Sequence, residues 1–180
     1  MSRITCLLFA GTAMGVLGCS PDSPTEPAAL VGSSLAAAQA AAVTRPAGGS
    51  CTTRLEFPAP EEGQPANVQR ITFEAECILK HLGKATATFS ETVTFTGPNT
   101  ATFVSTDMIY VAANGDELHA RTDDGAVVLD AQGGVTLTVT EVYTGGTGRF
   151  GGATGSAAIT GRASVVTQTG AYEIVGSITY

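Results

Sequence analysis

Three acidic residues occupy positions where an alternating sequence pattern predicts side chains that face a core. Glu91, Asp107 and Glu141 each share the parity of apolar neighbours in stretches that are otherwise rich in Thr and Val. A carboxylate removed from water is costly unless it is paired, so these residues are candidates for acid–base chemistry. Tyr143, two residues after Glu141, would serve as a proton donor beside them. The alternative is a bulge or a rim position that turns these carboxylates towards solvent.

β-Strands are the elements that must position these side chains. From about residue 68, apolar residues alternate with Thr, Ser and Glu, and pairs such as Asn114-Gly115 interrupt the pattern, which is typical of hairpins. The predicted strands are 68–79, 84–96, 100–112, 116–123, 126–130, 134–144, 156–167 and 170–180, with Thr52–Phe57 as an optional edge piece. Short turns, with no helical period between the strands, predict an all-β fold: an antiparallel up-and-down β-barrel of about eight strands.

The N-terminal residues indicate export. Met1–Arg3 carries a positive charge, residues 4–16 are apolar or small, and Cys19 follows Gly18, an order typical of a secretory signal peptide. The stretch that ends at Cys19 resembles a bacterial lipobox, which implies that residues 1–18 are a lipoprotein signal peptide and that Cys19 is acylated. The alternative is an ordinary signal peptide followed by an incidental Cys.

The resemblance to lipoproteins also implies a location. Ser20, rather than Asp, follows the Cys, which by the same resemblance favours the outer membrane of the cell envelope. Residues 19–50 are rich in Pro, Ala and Gly, so they are predicted to form the lipidated Cys and a flexible, disordered tether. Residues 51–180 are predicted to be the barrel domain, held at the membrane through its N-terminal lipid.

Two cysteines remain for the barrel. In an oxidising compartment Cys51 and Cys77 are predicted to form a disulfide that closes a loop of 26 residues. The rival interpretation is a metal site with His81 and His119, but these four residues show no ligand spacing. The sequence therefore predicts no metal and no cofactor.

The stretch GGTGRFGGATG contains the spacing of a dinucleotide-binding loop in Gly146, Gly148 and Gly151. Such a loop needs a parallel βαβ unit with a helix after the glycines. The residues that follow Gly155 are Thr, Gly and β-branched residues, which favour a strand. We therefore predict a structural loop, with Gly146, Gly148, Gly151 and Gly155, in which Phe150 plugs one end of the barrel and Gly151 and Gly155 hold positive φ.

The charge excludes one class of partner. Without Arg3, eight of the nine basic residues remain against sixteen acidic ones. An acidic chain without a basic patch is not expected to bind nucleic acid.

At the level of family, "GGTGRFGGATG", "HLGKATATFSETVTF" and "AANGDEL" resemble bacterial secreted proteins of the allene oxide cyclase barrel-like group, to which plant dirigent proteins are related. The likeness covers residues 68–180. It implies an eight-stranded antiparallel barrel with an apolar cavity. The plant enzymes cyclise a fatty-acid epoxide or steer radical coupling, but none of their catalytic residues is carried over to a position here.

Three functions follow from these observations. The first is a non-catalytic module that binds a small apolar ligand, since an eight-stranded barrel has room for one small molecule, the chain has no Trp and many inward positions are small. The second is an enzyme that acts on a lipid-like or phenolic substrate in the barrel cavity, in the manner of a cyclase or isomerase. The third is a purely structural envelope lipoprotein.

Overall fold

The computed structural model describes residues 42–180, which form a closed barrel of eight antiparallel strands. Each strand pairs with the next along the chain, and β8 pairs with β1 to close the barrel. The predicted all-β, up-and-down barrel is therefore confirmed. The strands are β1 (Thr44–Glu56), β2 (Val68–Leu79), β3 (Gly83–Gly97), β4 (Thr100–Ala112), β5 (Glu117–Leu129), β6 (Gly134–Gly146), β7 (Thr154–Ser164) and β8 (Thr169–Thr179).

Alternation along the strands builds the core. In β2 and β3, Phe73, Ala75, Ala87 and Phe89 are buried, while the Thr and Glu residues between them are exposed. This pattern is what a sheet with one apolar face requires. Aromatic and aliphatic side chains from all eight strands meet inside the barrel and form one core. No helix among residues 42–180 is long enough and apolar enough to cross a membrane.

The first strand is longer than the sequence indicated. Residues 52–57 were expected to add an edge piece, but β1 begins at Thr44, and it pairs with β8 from Thr44 to Arg54 and with β2 from Gly49 to Glu56. It starts seven residues before the predicted domain boundary at Cys51, so the end of the predicted tether is part of the barrel. The signal peptide, Cys19 and the rest of the tether lie outside the described residues.

The fifth strand is also different from the prediction. The segments 116–123 and 126–130 form one strand, β5, because Asp123-Asp124-Gly125 is a bulge instead of a turn. The predicted count of eight strands is correct because β1 replaces the strand lost by this merger.

One end of the barrel is plugged. Gly148–Phe150 forms a short 3-10 turn between β6 and β7, and the Phe150 side chain is fully buried. Its ring packs edge-on against Tyr180, with the ring centres 5.0 Å apart. This end, with the connection from β6 to β7, is called the plugged end below.

Glycines shape the plugged end in two ways. Gly148 has φ +54°, and a Cβ there would collide with the Asp116 carboxylate. Gly155 has φ +131°, and a Cβ there would meet the carbonyl oxygen of Ser177. The expectation of a positive φ is wrong for Gly151, which has φ −56°. The loop therefore needs glycine for a tight turn and for close backbone contact.

The opposite end of the barrel is less covered and is called the open end below. Four inward-facing apolar side chains there are only partly buried: Ile71, Val127, Leu137 and Ala163. Near mid-barrel, Cys51 and Cys77 are directly paired across β1 and β2 and form a disulfide with Cα atoms 4.1 Å apart. This bond ties the closing strand to its neighbour.

Candidate functional site

Glu141 is the most deeply buried charged side chain of the barrel. It lies on β6 with 0% of its surface exposed. The Tyr110 hydroxyl donates a hydrogen bond to its Oε2 at 2.9 Å, whereas Oε1 has no hydrogen-bond partner. Burial raises the pKa of Glu141 from 4.5 to about 7, although the neighbouring hydroxyls of Tyr110 and Tyr143 oppose this rise. The Tyr143 hydroxyl thus lies near the carboxyl group without completing a hydrogen bond to Oε1.

Glu91 is the second carboxyl group in the barrel. It faces inward from β3, between the buried Phe89 and Val93, and is itself partly exposed. Burial raises the pKa of Glu91 from 4.5 to about 8. Two carboxyl groups with raised pKa values inside one barrel are typical of sites that exchange protons or bind ligands.

Two buried polar side chains lie on the strands between those that carry the two carboxyl groups. Ser105 on β4 is paired with Thr122 on β5, and Thr122 is paired with Glu141 on β6. Thr92 is paired with Val104, and the register of β3 and β4 becomes irregular directly beyond this pair, where Glu91 and Ser105 lie on neighbouring strands. We call Glu91, Ser105, Thr122 and Glu141 the polar row.

The inner members of the polar row are short of partners. The Ser105 backbone N–H donates to Thr122 Oγ1 at 3.0 Å, but Ser105 Oγ has no hydrogen-bond partner. Ser105 and Thr122 are each only 1% exposed. Unpaired buried polar atoms cost free energy, so they call for an explanation such as a bound water or ligand.

Asp107 does not belong to this site. The prediction that it faces inward is wrong, because the side chain is exposed. Two residues of β4, Thr106 and Asp107, stand between Ser105 and Met108, opposite a single residue of β5. This bulge reverses the parity of the strand. The Asp107 carboxylate accepts a hydrogen bond from the Thr106 hydroxyl at 3.1 Å.

Three tyrosines surround the carboxyl groups. Tyr110, Tyr143 and Tyr172 are buried, and burial is the main cause that raises the pKa of each phenol. The charge of Glu141 raises all three pKa values further, and that of Glu91 contributes at Tyr172. Tyr172 projects inward from β8 and lies close enough for the charges of both carboxyl groups to act on it.

The free space inside the barrel is small. A cavity of about 30 Å³ next to Glu91 is lined mainly by apolar side chains, among them Phe73, Phe89, Phe103 and Met108. A second cavity, of about 10 Å³, borders Glu141, Tyr110 and Tyr143. The first is large enough for one or two water molecules and the second for about one. A larger depression, about 780 Å³, lies on the outer side of the barrel and is wide open to solvent.

The histidines take no part in the site. His119 Nε2 lies 2.9 Å from Glu117 Oε2 on the outer surface, and His81 Nε2 lies 3.0 Å from the Pro46 carbonyl oxygen. Across residues 42–180, no three His, Cys, Asp or Glu side chains are grouped so that they could hold a metal ion.

Sequence reasoning placed Glu91, Glu141 and Tyr143 on the inner face but missed their partners. Tyr110 was missed because the parity that placed Asp107 on the inner face placed Tyr110 on the outer face, and the bulge in β4 reverses that parity. Tyr172 was not considered. The period of two would have placed Tyr172 beside Ile174 on the inner face. Nothing in the sequence marked Ser105 and Thr122 as site residues, since Ser and Thr are abundant throughout the barrel.

Comparison with known proteins adds no relative. No family model, no curated protein and no solved structure matches the chain.

Proposed function

We propose that this protein is a lipid-anchored β-barrel of the cell envelope that binds a small, mainly apolar ligand inside the barrel, next to the polar row. The single observation that carries this proposal is the apolar, aromatic cavity beside Glu91, whose lining includes Thr122 of the polar row. Ligand sites are typically apolar, with a few polar groups that fix orientation.

The architecture supports entry from one side. The plugged end is sealed by the buried Phe150, while Ala163 and Leu137 at the open end are partly exposed and line the same cavity as Glu91. The bulges in β4 and β5 lie at the level of the polar row, and bulges often occur beside sites where they re-aim side chains.

The ligand must displace side chains, because a cavity of roughly 150 Å³ is needed for a benzene-sized molecule and the present cavity is about 30 Å³. Met108 is the side chain best suited to move. It lines the cavity, and its unbranched thioether chain adapts to irregular space.

The lipid anchor and the outer-membrane location are supported by the lipobox-like segment before Cys19 and by Ser20. A tether would then hold the barrel away from the membrane surface.

An enzyme is the second candidate, favoured by the placement of Tyr172 close to two carboxyl groups with raised pKa values. Such a set could transfer protons within a lipid-like or phenolic substrate. Turnover that is lost in Glu91→Gln but retained in Glu74→Gln, on the outer face, would favour this candidate.

The binding proposal is tested with benzyl alcohol as a neutral probe and with two variants on the same strand. Ala163→Trp fills the open end from the inner face, whereas Ala158→Trp places the same ring on the outside. We expect calorimetry to show binding to the wild type and Ala158→Trp and none to Ala163→Trp, with circular dichroism confirming that both variants fold. Equal binding by the two folded variants would contradict the proposal, as would no binding to the wild type.

A further inference from the structure

The polar side chains that border the inner cavities from inside the barrel are acids or neutral hydroxyls. The inward-facing acidic and phenolic side chains on the eight described strands are Glu91, Glu141, Tyr110, Tyr143 and Tyr172. One basic residue, Arg45, occupies an inward position opposite the buried Ile178, but it lies at the plugged end, where its guanidinium group packs on the Tyr180 ring, and it forms no ion pair with Glu91 or Glu141. Lys80 and Arg162 border the two cavities, but both are exposed, and neither forms an ion pair with Glu91 or Glu141.

The unsatisfied atoms of the polar row are suited to receive hydrogen bonds. Glu141 Oε1 and Ser105 Oγ are buried without a partner, and the Glu91 carboxyl group lies at the end of the same row. An ionised carboxylate only accepts hydrogen bonds, and a hydroxyl oxygen can accept them. A ligand group with several N–H donors on one atom would satisfy more than one of these acceptors.

The apolar part of the cavity is also suited to a cation. Phe73 and Phe89 are stacked with ring centres 4.7 Å apart, and Phe103 lines the same cavity. The faces of aromatic rings attract cations, most strongly where water is excluded.

We infer that the ligand is a small apolar amine, whose ammonium group lies against the polar row and whose hydrocarbon part lies among the aromatic rings. This inference rests on the proposed function, because it names the class of ligand for the same site. An organic anion would meet two carboxyl groups, neither of which has a cation paired with it. A neutral alcohol would lack the ion pair with Glu141.

Ammonium binding is linked to proton release. Burial raises the pKa of Glu141 to about 7 and that of Glu91 to about 8, while the hydroxyls of Tyr110 on β4 and Tyr143 on β6 oppose the rise at Glu141. Tyr172 on β8 lies close enough for the charges of both carboxyl groups to act on it. Without ligand, both carboxyl groups are therefore partly protonated near neutral pH. An ammonium group favours the carboxylate form, so its binding must expel a proton. Affinity for the amine should rise with pH until the amine itself loses its charge.

The test uses three ligands of one shape on the purified chain: benzylamine, benzyl alcohol and benzoate. Calorimetry at pH 7.5 should give benzylamine an affinity about tenfold above that of benzyl alcohol, as expected for a buried hydrogen bond to a charged group. Benzoate should bind most weakly. Heats measured in buffers of different ionisation enthalpy should reveal proton release with benzylamine alone.

Matched variants locate the effect. Glu141→Gln keeps the shape of the side chain and should remove most of the preference for benzylamine over benzyl alcohol. Glu74→Gln, on the exposed face of β2, should leave it unchanged. If Glu141→Gln alters the fold, Ser105→Ala provides a second variant in the polar row and should reduce the same preference.

The outcomes separate the two proposals. If benzyl alcohol binds as well as or better than benzylamine, or if benzoate binds best, the amine inference is overturned while ligand binding stands. If Glu141→Gln and Ser105→Ala both keep the full preference for benzylamine, the assignment to the polar row is overturned. If none of the three ligands binds, ligand binding is itself refuted, and the inference fails with it.

Discussion

Replacing Glu141 by Gln should change how the stability of the barrel depends on pH. The pKa of Glu141 is about 7 in the folded chain and 4.5 as its ordinary value. The folded state therefore holds this proton more tightly than the unfolded state. The stability that comes from the protonated form is fully present below pH 4.5, is lost as the pH rises towards 7, and does not change further above that pH.

The size of the effect follows from the same shift. Moving a pKa from 4.5 to about 7 corresponds to about 3 kcal/mol, at roughly 1.4 kcal/mol for each tenfold change in proton affinity. Gln does not titrate, so the decrease in the free energy of unfolding with rising pH that Glu141 causes should be absent from the variant. Any cost of the amide group is present at every pH and cancels when the two pH values are compared.

The assay is urea denaturation followed by far-ultraviolet circular dichroism from pH 4.5 to pH 8. The free energy of unfolding of Glu141→Gln, relative to wild type, should increase by about 3 kcal/mol across this range. Glu74→Gln, which changes an exposed carboxylate, serves as the control and should follow the wild type. Parallel profiles for Glu141→Gln and wild type would refute the reasoning that the Glu141 carboxyl group is buried and protonated.

Three other changes test separate parts of the account. Phe150→Ala should lower the free energy of unfolding by about 3–5 kcal/mol, and millimolar NAD or ATP should not raise the melting temperature; an unchanged stability would contradict the plug. Non-reducing peptide mapping should find Cys51 joined to Cys77, and replacing both by Ala should cost about 2–4 kcal/mol; free alkylation of both in the native protein would contradict the bond. Cys19→Ala should move the protein out of the membrane fraction, and an unchanged partition would rule out lipidation.

The regular strands could be predicted because their side chains alternate without interruption. In β2, apolar residues occupy every second position from Ile71 to Leu79, so the period of two was sufficient to predict this strand and its inward face. The start of β1 lacks that signal. Pro46, Gly48 and Gly49 break the alternation, and this part of the strand exists because β8 pairs with it from Thr44 onwards, before β2 joins at Gly49. Such pairing between distant segments has no local signature.

The candidate site was predicted only in part, for a related reason. Glu141 lies in a regular strand, so its parity indicated its direction. Asp107 lies in a bulge, where one extra residue reverses the parity. The pairing that joins Ser105, Thr122 and Glu141 depends on the register of three strands. A sequence pattern shows which face a residue occupies, but it does not show which residues become neighbours across the sheet.

The most direct test of ligand binding inside the barrel is a methyl nuclear magnetic resonance map during titration with benzylamine. Met108 and Ile159 line the inner cavity, whereas Ile78 and Val175 are 64% and 70% exposed on the outer surface. If the ligand binds inside the barrel, the two inner residues should show saturable shifts and the two outer ones none. Shifts confined to Ile78 and Val175, or no saturable shift at Met108 and Ile159, would contradict it.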